Sequence, residues 1–72
     1  MQPVWLEEGR KVARQLGVDI VVFEYRIKTR LTVDGRPSQR VIYDSWGLDT
    51  IEGFQYYATN FEILRSAVVS AE

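Results

Sequence analysis

Residues 18–33 read VDIVVFEYRIKTRLTV, the longest uninterrupted run of strand-forming residues in the chain. Alternation with a period of two places Val21, Phe23, Tyr25, Ile27, Leu31 and Val33 on one face of an extended strand, with Thr29 as the polar member of that set. The opposite face changes along its length: Val18, Ile20 and Val22 are apolar, whereas Glu24, Arg26, Lys28, Arg30 and Thr32 suit a solvated surface. The first half of the strand is therefore expected to be buried on both faces and the second half on one.

Downstream, Asp34, Gly35, Arg36, Pro37 and Ser38 form a cluster of turn residues, followed by a second strand-like run over 39–46. Taking those five residues as the loop predicts a hairpin in which Val33 faces Gln39, Leu31 faces Val41, Thr29 faces Tyr43 and Ile27 faces Ser45. On the other side Thr32 meets Arg40, Arg30 meets Ile42, Lys28 meets Asp44 and Arg26 meets Trp46. That register brings opposite charges together at one position and a guanidinium beside an indole at another. It also ends the second strand opposite Arg26, so residues 18–24 need a further neighbour.

The last third supplies one. Asp49, Thr50, Ile51 and Glu52 have the spacing of a capping box, with Asp49 as the cap and Glu52 reaching back. Ile51, Phe54, Tyr57 and Ala58 then recur at helical intervals. Thr59 and Asn60 are poor interior helix residues, so Asn60 is a candidate stop, and 61–69 becomes a third strand antiparallel to the first. The alternative continues the helix to Val69 and leaves the early edge of the first strand to another subunit.

Upstream, 3–16 reads as a first helix. Pro3 suits the first turn, Glu7 and Glu8 lie near the positive end of the helix dipole, and Lys11 and Arg14 lie near the negative end. Trp5, Val12, Ala13 and Leu16 share a side with Gly9, where another element could approach closely. Gly17 is the expected left-handed stop. The whole chain, 1–72, is thus expected to be a single α+β domain of two layers in the order α-β-β-α-β. Both helices are expected on the face of Val21, Phe23 and Tyr25, with the charged hairpin face left open to a partner.

Composition narrows the function. Apolar residues make up 46% of the 72 and charged residues 26%, a globular balance without an apolar run long enough to span a bilayer, so no membrane partner is expected. The start MQPVWLEEGR lacks the basic-then-apolar layout of a secretory signal, and with no cysteine a cytoplasmic location is the default expectation. Histidine is also absent, which removes the usual nucleophile and base pairings, and the glycines are scattered rather than gathered in a phosphate loop. The close carboxylates, Glu7 with Glu8 and Asp49 with Glu52, sit at helix starts, where such residues are expected for structural reasons. No enzyme activity and no cofactor or metal are expected.

What remains is a surface for a protein partner: Arg26, Lys28, Arg30 and Arg40 on the solvated hairpin face, Arg36 at the loop, Trp46 at the far end, and Tyr56 beside Tyr57 and Phe54. Single-stranded nucleic acid is the alternative ligand for a basic sheet face with an aromatic, although a net charge of −1 is not that of a dedicated nucleic-acid binder. A homodimer is a further possibility.

Overall fold

The structure, a computed structural model, describes residues 4–33 and 35–72; the side chains of 29–33 and 36–40 lie outside the described set. It contains α1 (Val4–Leu16), β1 (Ile20–Val33), β2 (Arg36–Thr50), α2 (Ile51–Asn60) and β3 (Glu62–Val69). The three strands form one antiparallel sheet in the order β2-β1-β3, so the chain is an α+β domain with the expected element order. No helix among the described residues is long and apolar enough to cross a membrane.

The third strand forms as the Asn60 stop predicts. The Asn60 side-chain amide donates to the Tyr56 carbonyl at 2.7 Å, and the Phe61 N–H donates to the Tyr57 carbonyl at 2.9 Å, closing the last turn before the backbone extends. β3 then pairs with β1 from Ile20↔Val69 to Arg26↔Glu62, with one irregularity between Glu24 and Tyr25.

The hairpin register differs from the expected one by two residues as far as Arg30 and, past an irregularity between Arg30 and Thr32, by three at the tip. Arg26 faces Asp44, Ile27 faces Tyr43, Lys28 faces Ile42 and Thr29 faces Val41. Pairing begins at Val33↔Arg36, leaving only Asp34 and Gly35 between the strands, with Gly35 at φ +74°. An Asp-Gly link is among the strongest two-residue hairpin signals, and it prevails over the longer turn cluster that includes Pro37 and Ser38. β2 also runs on past Trp46 to Thr50, which stands opposite Ile20, so the first half of β1 has a neighbour on both sides.

The helices correct the two-layer expectation, because they lie on opposite faces of the sheet. α1 covers the face of Ile20 and Val22: Gly9 lies so close to Val22 that a methyl group there would collide with its Cγ2, and Ala13 is fully buried with Ile20, Val22 and Val69. Trp5, Leu6, Val12 and Leu48 pack around this cluster, while Leu16, expected in it, is exposed. α1 ends at Gly17, φ +70°, whose N–H donates to the Ala13 carbonyl at 2.8 Å, as expected of a left-handed stop.

α2 covers the face of Val21, Phe23 and Tyr25 with aromatic rings. The Phe23 ring centroid lies 5.0 Å from Phe54 and 4.8 Å from Tyr57, and Tyr25 lies 5.4 Å from Tyr57 and 5.2 Å from Phe61, all tilted. Opposite Phe23, Gly47 leaves space for its ring, since a methyl there would sit 3.3 Å from Phe23 Cζ. α2 is capped by Thr50 rather than Asp49: the Thr50 hydroxyl accepts from the Gly53 N–H at 3.1 Å, while Asp49 Oδ1 accepts from the Thr50 N–H at 2.7 Å.

Among the described residues, full burial is confined to the base of the sheet and the helix over it. Ala13, Ile20, Val21, Val22, Phe23 and Val69 form the core, and Phe23, Ile20 and Val22 each contribute about 1.5–3 kcal/mol by leaving water. Tyr25 and Ile27, expected in the core, are half-buried; Leu31 and Val33, also expected there, have side chains outside the described residues. Beyond Arg26 the sheet narrows to the β1–β2 hairpin, which projects as an arm. The extents of 50 × 28 × 19 Å and radius of gyration of 15.1 Å reflect it; a compact chain of this length has a radius of about 11 Å.

Candidate interaction surface

Strict alternation along β1 carries the α1 face outward from Val22 through Glu24 and Arg26 to Lys28, and brings Trp46, Asp44 and Ile42 of β2 and Arg65 and Glu62 of β3 to the same side. Arg26 is the centre of this strip. Its Nε donates to Asp44 Oδ1 at 2.9 Å and its Nη1 lies 3.6 Å from Glu62 Oε2. Lys28 Nζ reaches Glu62 Oε1 at 3.8 Å, and Arg65 Nε lies 3.3 Å from Glu24 Oε1. The hydrogen bond from Arg26 holds the Asp44 carboxyl below its ordinary pKa, and the same bond raises that of the guanidinium.

The strip is thus a run of alternating signs, not a basic field. Every described cation on it has a carboxylate within 4 Å. At its inner end the Arg65 guanidinium lies 4.8 Å from the Trp5 ring centroid. The Trp5 Nε1 is buried without a hydrogen-bond partner, so the indole is held there by its ring contacts. A shallow recess of about 270 Å³ opens where β3 begins, lined by Arg26, Lys28, Asn60, Phe61 and Glu62.

Of the residues singled out from sequence, Arg26, Lys28 and Trp46 come together on this face, although Trp46 stands opposite Glu24 rather than Arg26. Arg30 is paired with Arg40 and Arg36 with Val33 in the backbone register; their side chains lie outside the described residues. Tyr56 is separate. It is exposed on α2, on the other side of the sheet, with its ring edge-on to Tyr57 at 5.5 Å.

Sequence reasoning missed three contributors. Glu62 holds both Arg26 and Lys28, and was hidden because its pairing depends on the register of β3. Ile42 and Tyr43, next to each other on β2, are 56% and 47% exposed on opposite faces of the arm. Their signal was present in the sequence as an apolar pair in a hairpin too narrow to bury both. Among the described residues no group of three or more carboxylates is placed to hold a metal ion. In comparison with known proteins, the chain matches no family model, no curated protein and no solved structure.

Proposed function

We propose that the chain is a non-enzymatic protein-interaction module that docks through its hairpin arm. The observation that carries this reading is the exposure of Ile42 and Tyr43, large apolar residues on an arm that projects beyond the core, and of Trp46 at its root opposite Glu24, beside a strip of internally paired charges. Area supports it. The accessible surface is 5448 Å², whereas a compact chain of 8.4 kDa exposes about 4600 Å². The difference is close to the ~800 Å² that one partner buries in a standard protein interface. Aromatic and aliphatic anchors rimmed by satisfied polar groups are the usual make-up of such a contact.

Protein is favoured over single-stranded nucleic acid because Arg26 and Lys28 are already engaged by Asp44 and Glu62, which leaves little uncompensated charge among the described side chains of this face to meet a phosphate backbone. The test places a photo-activated benzophenone side chain at Tyr43, and at Gln15 on α1 as a control, in the native host. A discrete, nuclease-resistant protein adduct formed at 43 and not at 15 is the expected result. Adducts that disappear on nuclease treatment, or equal labelling from both positions, would overturn the reading.

A further inference from the structure

The charged arm does not account for a second surface, at the opposite end of the sheet. β3 is an edge strand, with β1 on one side and no strand on the other among the described residues. Along that open side runs a groove of about 420 Å³ between α1 and residues 67–70, with Leu6, Arg10 and Arg14 on the helix side and Glu72 also in its lining. Arg10 and Arg14 are exposed and make no ion pair among the described residues, unlike Lys11, which lies 3.6 Å from Glu8. Val68 is 62% exposed and, as the register partner of Val21, lies on the face away from α1.

We infer that this groove accepts an extended segment of another protein as a fourth strand, and that the segment alternates acidic with apolar residues. The open edge of β3 offers unpaired backbone N–H and C=O groups, the means by which a peptide extends a sheet. Spacing specifies the side chains. Arg10 and Arg14 are one helical turn apart, a rise of about 6 Å, and alternate residues of a strand are about 6.8 Å apart. Carboxylates at alternate positions on the α1 side would therefore meet both guanidiniums. The intervening side chains would fall on the other face, beside exposed Val68, where apolar residues fit. Glu72 also lines the groove, so a carboxylate beside it is disfavoured. Charge also decides against a second copy of this chain: two-fold pairing of β3 with itself would bring the arginines of two α1 helices together across the seam.

The test uses the full chain and two fluorescent octapeptides, one alternating Glu with Val and one alternating Lys with Val, with a third carrying Pro in place of Val. Anisotropy should register binding of the Glu-Val peptide at up to about 1 mM, weakened about tenfold or more in the Arg10→Glu/Arg14→Glu variant. The Lys-Val and Glu-Pro peptides should fail. Amide exchange should slow within 66–70 on binding, which a diffuse charge attraction would not produce. Both arginines are exposed, so the variant should keep its fold, and circular dichroism verifies this. Equal affinity for the Glu-Val and Lys-Val peptides, no effect of the double substitution, or protection on the arm instead of β3 would overturn the inference. So would sedimentation showing a dimer whose formation blocks the groove.

Discussion

Replacing Gly9 with alanine sets two opposing effects against each other at the closest approach in the molecule. In the middle of a helix the exchange gains about 1 kcal/mol in intrinsic propensity. The new methyl, however, would collide with Val22 Cγ2 and lie 3.4 Å from Val69 Cγ2. Carbon atoms rest about 3.5–4.0 Å apart, so the Val22 methyl would have to withdraw by more than about 1 Å. Val22 cannot do so cheaply: it is β-branched, fully buried and held between two strands. Overpacking of this kind costs about 1–3 kcal/mol, which outweighs the propensity gain. A collision with a fully buried β-branched side chain belongs in the upper part of that range, about 2–3 kcal/mol, so the expected net loss is about 1–2 kcal/mol, a large share of the roughly 4–11 kcal/mol available to a chain of this length. In urea the midpoint should fall with an unchanged slope, and Tm should drop by about 5–15 °C. The companion Val22→Ala deletes the offending methyl at a cost of about 2 kcal/mol. Together the two changes should be less harmful than their sum by about 1 kcal/mol or more, because the methyl at position 9 enters the vacated space. A Gly9→Ala protein as stable as the parent, or a strictly additive pair, would refute the packing argument.

Two further perturbations address the second helix and the arm. Thr50→Ala removes the hydroxyl that accepts from the Gly53 N–H and should cost about 1 kcal/mol, with Thr50→Ser largely restoring it; an unchanged Tm for the alanine variant would transfer the cap to Asp49. The Asp44 carboxyl is held below its ordinary pKa by Arg26, so the pair stabilises the arm fully above the ordinary carboxylate range. That contribution is lost as pH falls through the lowered pKa. Titration of the Asp44 carboxyl by NMR should show the depressed midpoint and its return towards normal in Arg26→Gln; an ordinary midpoint in the parent would refute the pairing.

Much of this fold is legible in the residues, and the failures have physical causes. Gly17 and Asn60 end their helices as expected because their preferences are local and nothing distant opposes them. Gly9 was readable as a point of close approach for the same reason. The register was misread because a cluster of turn formers carries no information on how many of them remain unpaired: Arg36 and Pro37 enter the ladder, and Asp34-Gly35 alone joins the strands. β2 was cut short at Trp46 because Gly47 interrupts the strand pattern, although its lack of a side chain is what admits the Phe23 ring. The helices were assigned to one face despite Ile20 and Val22, whose burial opposite Val21 and Phe23 requires a cover on each side. At the candidate surface the residue types were readable, but their pairing was not. Arg26, Lys28 and Glu62 meet only through the order of strands, which composition does not encode.

The 14 residues of β1 belong to two different mechanical regimes. Residues 20–26 are flanked by β2 and β3, and their amides are released to exchange only when the base of the sheet opens. From 27 onward the strand pairs with β2 alone among the described residues, so opening of this part does not require opening of the base. Amide exchange is thus expected to be slow along one part of this strand and fast along the other, with Arg26 at the boundary. Length is therefore adjustable on one side of that boundary and fixed on the other. Adding residues in pairs to both strands of the arm would extend its reach by about 3.4 Å per residue and preserve which side chains face which way. A single insertion before Arg26 would turn Ile20 or Phe23 away from its helix.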